Sequence, residues 1–232
     1  MSVSDYDAFA KAYSTANENN LLNAWYERPA MINLAGDVAG RHVLDAGCGS
    51  GPLAAALREK GAVVRGFDLS PGMVALARQR LGDEADLKVA DLGERLPYDD
   101  DSFDIVVCSL TLHYLRDWAA PLNELRRVLR PNGRLVLSVP HPTVYMFNYQ
   151  DRDYFALTQY SEEFEFEGQN AVLTYWHRPL HAMTDAFTDA GFRIAAVSEP
   201  PWAPDTPTDL LPAKARERAA FMCFLFFALE AP

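Results

Sequence analysis

Nine residues constrain this chain more than any others: Val43-Leu44-Asp45-Ala46-Gly47-Cys48-Gly49-Ser50-Gly51. A short apolar run ends in an acid, glycine then recurs at alternate positions, and Pro52 opens a helix-forming stretch. Glycines so spaced let the backbone turn sharply and approach a ligand with no side chain between. The helix N-terminus that follows offers unpaired N–H groups and a partial positive charge. A ligand bearing an anionic group is expected here, with Asp45 facing any cationic part of it.

From residue 41 onward, strand and helix signals alternate. Strands are expected over 41–46, 63–67, 86–90, 103–108 and 134–139, and helices over 52–60 and 71–81. The second helix has Ser70 as N-cap, Pro71 as its first residue and Gly82 as its stop. Leu122, Leu125, Val128 and Leu129 form an apolar helical stripe that Pro131-Asn132-Gly133 ends with a turn. A helix over 180–190 and strands over 192–198 and 221–229 follow, the last two as an antiparallel pair at the sheet edge. Repeated βα units imply an α/β fold, Rossmann-like and doubly wound, with helices on both faces of a parallel sheet.

Two segments fall outside this alternation. Residues 1–40, with Tyr6, Tyr13, Trp25 and Tyr26, are expected to form an N-terminal helical cap. Residues 141–177 are rich in aromatics and contain Glu163-Phe164-Glu165-Phe166-Glu167, which alternates with period two. With a turn at Gly168-Gln169-Asn170 and a return strand over 172–176, this reads as an inserted lid hairpin. The expected organisation is therefore a cap over 1–40, a ligand-binding core over 41–140, a lid insertion over 141–177 and the rest of the core sheet over 178–232.

Bulk properties exclude several function classes. The 232 residues suit one domain with an elaboration. A net charge of −11 and an isoelectric point of about 4.8 argue against a nucleic-acid partner. The basic stretch Arg126-Arg127 with Arg130 reads as a solvated helix face. The three cysteines, Cys48, Cys108 and Cys223, lack metal-ligand or disulfide spacing, so no metal site is expected. Residues 1–20 lack an apolar signal core and the most apolar run, 221–229, is too short to span a bilayer. A soluble, cytoplasmic protein is expected, with no membrane partner.

Ligands of open α/β sheets bind beyond the carboxyl ends of the strands. Asp45, Asp68, Asp91, Ser109 and His141 stand at those ends. Asp68 is placed to accept from both hydroxyls of a ribose, and Asp91 from the exocyclic amine of adenine. Leu69 and Met73 offer apolar faces to a base. A dinucleotide site calls for Gly-x-Gly-x-x-Gly, but position 52 is proline and the third glycine falls at 51. Asp45 is also badly placed for a pyrophosphate and well placed for an ammonium. Both departures favour S-adenosylmethionine as cofactor.

These segments resemble the class I S-adenosylmethionine-dependent methyltransferases, more narrowly the small-molecule group known as methyltransferase domain 11. The likeness runs over roughly residues 41–140. It is carried by the loop at 43–51, Gly66-Phe67-Asp68-Leu69-Ser70-Pro71-Gly72-Met73, Leu96-Pro97-Tyr98-Asp99-Asp100-Asp101-Ser102-Phe103-Asp104-Ile105-Val106 and Leu129-Arg130-Pro131-Asn132-Gly133-Arg134-Leu135-Val136. The resemblance implies a seven-stranded sheet with its last strand antiparallel. It implies Asp45, Gly47, Gly49 and Gly51 at the methionine end of the cofactor, and Asp68 on the ribose. It further implies Asp91 and Leu92 at the adenine, and Ser109 near the methionine moiety.

The implied reaction is an SN2 transfer of a methyl group to an O, N or C nucleophile of a small organic molecule. Alignment alone is worth about 7–11 kcal/mol, more than a general base contributes, so no conspicuous catalytic constellation is required. His113 and His141, beyond the fourth and fifth strands, are the candidates for such a base. Tyr13, with Tyr6, is a candidate to fold over the cofactor's tail. The aromatic insertion suits an apolar or aromatic acceptor. The alternative is a non-catalytic module that binds S-adenosylmethionine for regulation.

Overall fold

A computed structural model describes residues 6–217 and 222–232. The strands are β1 (His42–Ala46), β2 (Val63–Asp68), β3 (Leu87–Val89), β4 (Phe103–Ser109), β5 (Leu129–Pro140), β6 (Thr158–Phe166), β7 (Gln169–His177), β8 (Arg193–Ser198) and β9 (Phe224–Glu230). The helices are α1 (Ala10–Asn19), α2 (Arg28–Ala35), α3 (Pro52–Glu59), α4 (Pro71–Leu81), α5 (Ala119–Val128), α6 (Pro142–Asn148) and α7 (Leu180–Asp189). Seven strands form one sheet in the order β3-β2-β1-β4-β5-β9-β8, and β6 pairs with β7 alone. Strand β9 runs antiparallel to both its neighbours, while the β1–β2, β1–β4, β2–β3 and β4–β5 pairs are parallel. This is the expected doubly wound sheet with its last strand reversed. Phe221, where the sequence reading starts that strand, lies outside the described residues.

The period of two along each strand sorts side chains into two cores. Leu44, Ala46, Val106, Cys108, Leu135, Leu137, Leu225 and Phe227 enter one core with Leu122 and Leu125 of α5 and Phe187 of α7. Val43, Ile105, Val107, Val136, Phe224 and Phe226 enter the other with Met31 of α2 and Leu57 of α3. Asp45 has the parity of Val43, Ser109 that of Val107, and Ser138 that of Val136. All three thus stand on the α2–α3 face, at or near the carboxyl ends of their strands, and Asp68 follows suit on β2.

Helix α4 begins as its sequence requires. Ser70 Oγ accepts from Met73 N–H at 3.0 Å. The same hydroxyl donates to Asp7 Oδ1, which also accepts from Gly72 N–H at 2.8 Å. These two bonds hold the Asp7 carboxyl below its usual range and pin the N-terminal segment to the helix. Replacing Ser70 by alanine removes the cap and the anchor together. It is expected to lower stability by about 1 kcal/mol, read as a shift in the urea midpoint at constant slope.

Local readings shift in five places, the last of them in the hairpin. Strand β3 keeps only Leu87–Val89. The Pro131-Asn132-Gly133 turn survives as a bulge inside β5, where pairing jumps from Phe103–Leu129 to Ile105–Arg134. It is tied down by Asn132 N–H to Ala231 O at 2.7 Å. Arg127 is not on a solvated face. Its guanidinium turns inward, donating to Glu124, Asp100 and the carbonyls of Leu96 and Tyr98. Helix α6, between β5 and the hairpin, has no counterpart in the sequence reading.

The hairpin itself closes one residue earlier than expected, through Glu167 and Gly168. Both have positive φ, 50° and 79°, the condition for a two-residue turn matched to the strand twist. The alternation holds: Phe164, Phe166, Ala171, Leu173 and Tyr175 face inward, onto Tyr6, Phe9, Tyr13 and Tyr114. Glu163 and Glu165 face solvent.

Candidate functional site

The carboxyl ends of β1, β2 and β4 open onto one cavity of about 410 Å³. Of the sequence candidates, Tyr13, Asp45, Gly47, Gly49, Asp68, Leu69, Met73, Asp91, Leu92 and Ser109 all line it. Gly51, His113 and His141 do not.

The loop after β1 is shaped by its glycines. The N–H groups of Gly47 and Cys48 both donate to Phe67 O at 2.9 Å, which folds the loop against the end of β2. A Cβ on Gly47 would meet Thr111 Oγ1 at 2.3 Å, so no side chain fits there. Gly49, at φ +54°, has nothing within 4 Å of where a Cβ would stand, and its backbone borders the cavity directly. Gly51 serves packing instead. At φ +82° it caps α3, and a Cβ would press on Ala77 and Leu81.

Asp68 closes this loop from the other side. Its Oδ2 accepts from Gly49 N–H at 2.8 Å and its Oδ1 from Ser70 N–H at 2.9 Å. Burial raises its carboxyl above the usual range, with those two N–H groups opposing. Asp91 accepts from Gly93 N–H at 2.7 Å, and Met73 and Leu92 present buried apolar flanks.

Asp45 is the anomaly of the site. The residue is 1 % exposed, and neither carboxylate oxygen has a hydrogen-bond partner among the described residues. Burial first, then the charges of Glu27 and Asp68, push its carboxyl up to about 8. A buried acid without a partner is a costly arrangement in a folded protein, and one that a cationic ligand relieves.

Sequence reasoning missed the residues that complete this wall. A π-helical turn, Asn23–Glu27, precedes α2 and delivers Glu27 and Arg28 to the cavity beside Asn17 and Asn23. Glu27 is buried, and its Oε1 accepts from Ser109 Oγ at 2.7 Å and Ser138 Oγ at 2.6 Å. Burial raises its carboxyl, while both serines and Arg28 oppose the rise. Arg28 donates to Asn17 O at 3.2 Å. The available signal was a charged pair set between Trp25-Tyr26 and Pro29-Ala30-Met31, inside an otherwise apolar stretch.

The two histidines stand elsewhere. His113 lies in the 3₁₀ turn Leu112–Tyr114 and packs against the rings of Tyr114 and Tyr175. Its Nδ1 has no partner among the described residues, and burial lowers its pKa to about 3. His141 caps α6: its Nδ1 accepts from Thr143 N–H at 3.1 Å and its Nε2 meets Glu199 at 2.8 Å. At the cavity's outer end, the hydroxyls of Tyr6 and Tyr114 are hydrogen-bonded to each other, and Tyr13 packs edge-on against Tyr6 and Phe166. Among the described residues no helix is long and apolar enough to cross a membrane, and no three metal-ligating side chains converge.

Comparison with known proteins agrees with this geometry. Residues 44–137 match the family model described as a methyltransferase domain. A demethylmenaquinone methyltransferase of Clavibacter sepedonicus is 38% identical over 137 residues, 57% of this chain and 55% of the relative. A malonyl-[acyl-carrier protein] O-methyltransferase of Serratia marcescens is 36% identical over 134 residues, 56% of this chain and 52% of the relative. The chain thus spans about half the length of the curated relatives it matches. An S-adenosylmethionine-dependent methyltransferase of Mesorhizobium loti superposes with a TM-score of 0.64 at 26% identity, over 87% of this chain and 96% of that one.

Proposed function

We propose, from a chain whose core is a class I S-adenosylmethionine-dependent methyltransferase domain, that it transfers a methyl group from S-adenosylmethionine to an O, N or C nucleophile of a small molecule. The observation that carries this reading is Asp45, an unpartnered buried carboxylate in a cavity wall that also exposes the backbone of Gly49. That pairing suits the cofactor's amino acid end, which needs an anion for its ammonium and a bare backbone for close approach. Arg28 would answer its carboxylate, Asp68 the ribose hydroxyls, and Asp91, Leu92, Met73 and Leu69 the adenine.

When bound, the cofactor supplies an electrophilic methyl group on a sulfonium. The chain's own contribution is to align and to exclude water. Tyr6, Tyr13 and Tyr114 would close the outer end, and the hairpin would lie over the acceptor as a lid, with the N-terminal segment as a cap. The rings gathered there suit an apolar or aromatic acceptor. Positioning is worth about 7–11 kcal/mol, so the reading needs no proton carrier. His113, buried and outside the cavity lining, enters it as a packing residue beside Tyr114 and Tyr175, and His141 as a helix cap.

The test is direct. Titration calorimetry with S-adenosylmethionine should give saturable binding, and excess cofactor at about 100 times Kd should stabilise the fold by about 2.7 kcal/mol. Methyl-labelled cofactor incubated with fractionated metabolites should label a small molecule. Absence of both heat and thermal shift defeats the proposal, and binding without any labelled product leaves a regulatory module.

A further inference from the structure

Glu27 is one carboxylate more than the proposed cofactor contacts require. Five acids line the cavity, Asp7, Glu27, Asp45, Asp68 and Asp91, against the single base Arg28. Two of them, Glu27 and Asp45, are almost fully buried on the same face of the sheet, yet they are treated differently. Glu27 Oε1 receives two serine hydroxyls from the ends of β4 and β5, and Arg28 is its neighbour in sequence. Each of these favours its ionised form. Asp45 has no side-chain partner among the described residues, and the Ala54 backbone N–H is the one group that opposes its rise. Where two buried carboxylates interact, one proton between them removes most of their repulsion.

Resting on the proposed cofactor reading, we propose that burial, reinforced by the Glu27 carboxylate on the same cavity wall, keeps a proton on Asp45 in the cofactor-free protein, and that this proton is released to solvent when the cofactor's cationic end takes its place. One proton leaves the Asp45 carboxyl, one positive charge arrives, and no other bond changes. Glu27 thereby acts through Asp45 as a positioning residue for charge. It sets a pH below which the cofactor must compete with a proton.

The surrounding groups leave this assignment intact. Asp68 on β2 adds to the repulsion on Asp45, and Arg28 on α2 relieves Glu27. Cys48 and Tyr13 line the same cavity, and Cys108 lies on the opposite face of the sheet. Burial and neighbouring carboxylates raise all three, so they are neutral around pH 7 and exchange no proton there.

The test measures cofactor binding by calorimetry in two buffers of different ionisation heat. Wild type should release about one proton per S-adenosylmethionine bound near pH 6.5, and that release should fade toward about pH 8, above which the cofactor's own amine loses its charge, with affinity rising about tenfold per pH unit up to about pH 8. Glu27→Gln keeps an acceptor for both serines and should move that pH dependence to lower pH, because burial and Asp68 still act on Asp45. Infrared difference spectra of the wild type should show a protonated-carboxyl band in the cofactor-free protein that disappears on binding. This second measurement stands even if the variant misfolds. Buffer-independent binding heats in the wild type overturn the inference and leave the proposed function standing, as does a folded Glu27→Gln whose pH dependence matches that of the wild type. No binding at any pH overturns both.

Discussion

Asp45→Asn is expected to remove cofactor binding and at the same time to make the cofactor-free protein harder to unfold. The first effect follows from taking away the anion that the proposed cationic end meets in a dry wall. Truncating one partner of a buried charge pair costs about 2–5 kcal/mol, a fall in affinity of about a hundredfold or more. The second effect follows from linkage. The folded pKa of Asp45, about 8, lies above its unfolded value. Below the unfolded pKa the raised value stabilises the fold in full. As pH rises from there to the folded pKa, the folded chain keeps a proton that the unfolded chain has lost. Stability then falls by about 1.4 kcal/mol per pH unit. Asparagine has the same shape and does not titrate. The melting temperature of the variant should therefore pull ahead of wild type between about pH 5 and pH 8 and keep a constant lead above that. Melting curves across this range, with parallel calorimetry, check both halves. Wild-type affinity in the variant, or a lead that ignores pH, contradicts the account.

Asp68→Ala is expected to move binding the same way and stability the opposite way. Asp68 is also buried and raised, but its oxygens hold the N–H groups of Gly49 and Ser70. Alanine leaves those donors without an acceptor, at about 1–3 kcal/mol for each one that water does not reach. The glycine loop and the start of α4 lose their common tie, and the proposed ribose contact disappears with it. Affinity should fall about a hundredfold, with a lower melting temperature. Asp68→Asn, which retains one carbonyl acceptor, should recover part of the stability and little of the binding. An Asp68→Ala protein as stable as wild type would show that the loop is held by other means.

The contrast between these acids was only half legible in the sequence. That Asp45, Asp68 and Asp91 end successive strands is a local matter of alternation, glycine spacing and helix caps, and the structure places all three on one cavity. That Asp45 lacks a side-chain partner while Asp68 holds the N–H groups of Gly49 and Ser70 is not local, since it depends on which groups the folded loop presents. Glu27 shows the limit more plainly. Its bonds join residues 82 and 111 positions apart, and no periodicity in residues 1–40 announces that a π-helical turn will carry it under the sheet's edge. Arg127 departs from a solvated face for the same reason, because its acceptors include the carbonyls of Leu96 and Tyr98, in a loop distant in sequence. The hairpin was legible because strict alternation is a two-residue pattern. Its turn moved by one residue because Glu167 adopts positive φ in company with Gly168.

Strands β6 and β7 hydrogen-bond to each other and to no strand of the larger sheet. Insertions, deletions or exchanges within 158–177 therefore leave the register of the other seven strands undisturbed. On the proposed function, preference for the receiving molecule would then be set largely by a stretch of chain whose pairing is separate from that of the strands that end at the donor's cavity, joined to it through Tyr6, Tyr13 and Tyr114. If that proposal holds, a chimera carrying a foreign hairpin that keeps the inward-facing aromatics should still bind the donor while its choice of receiving molecule changes.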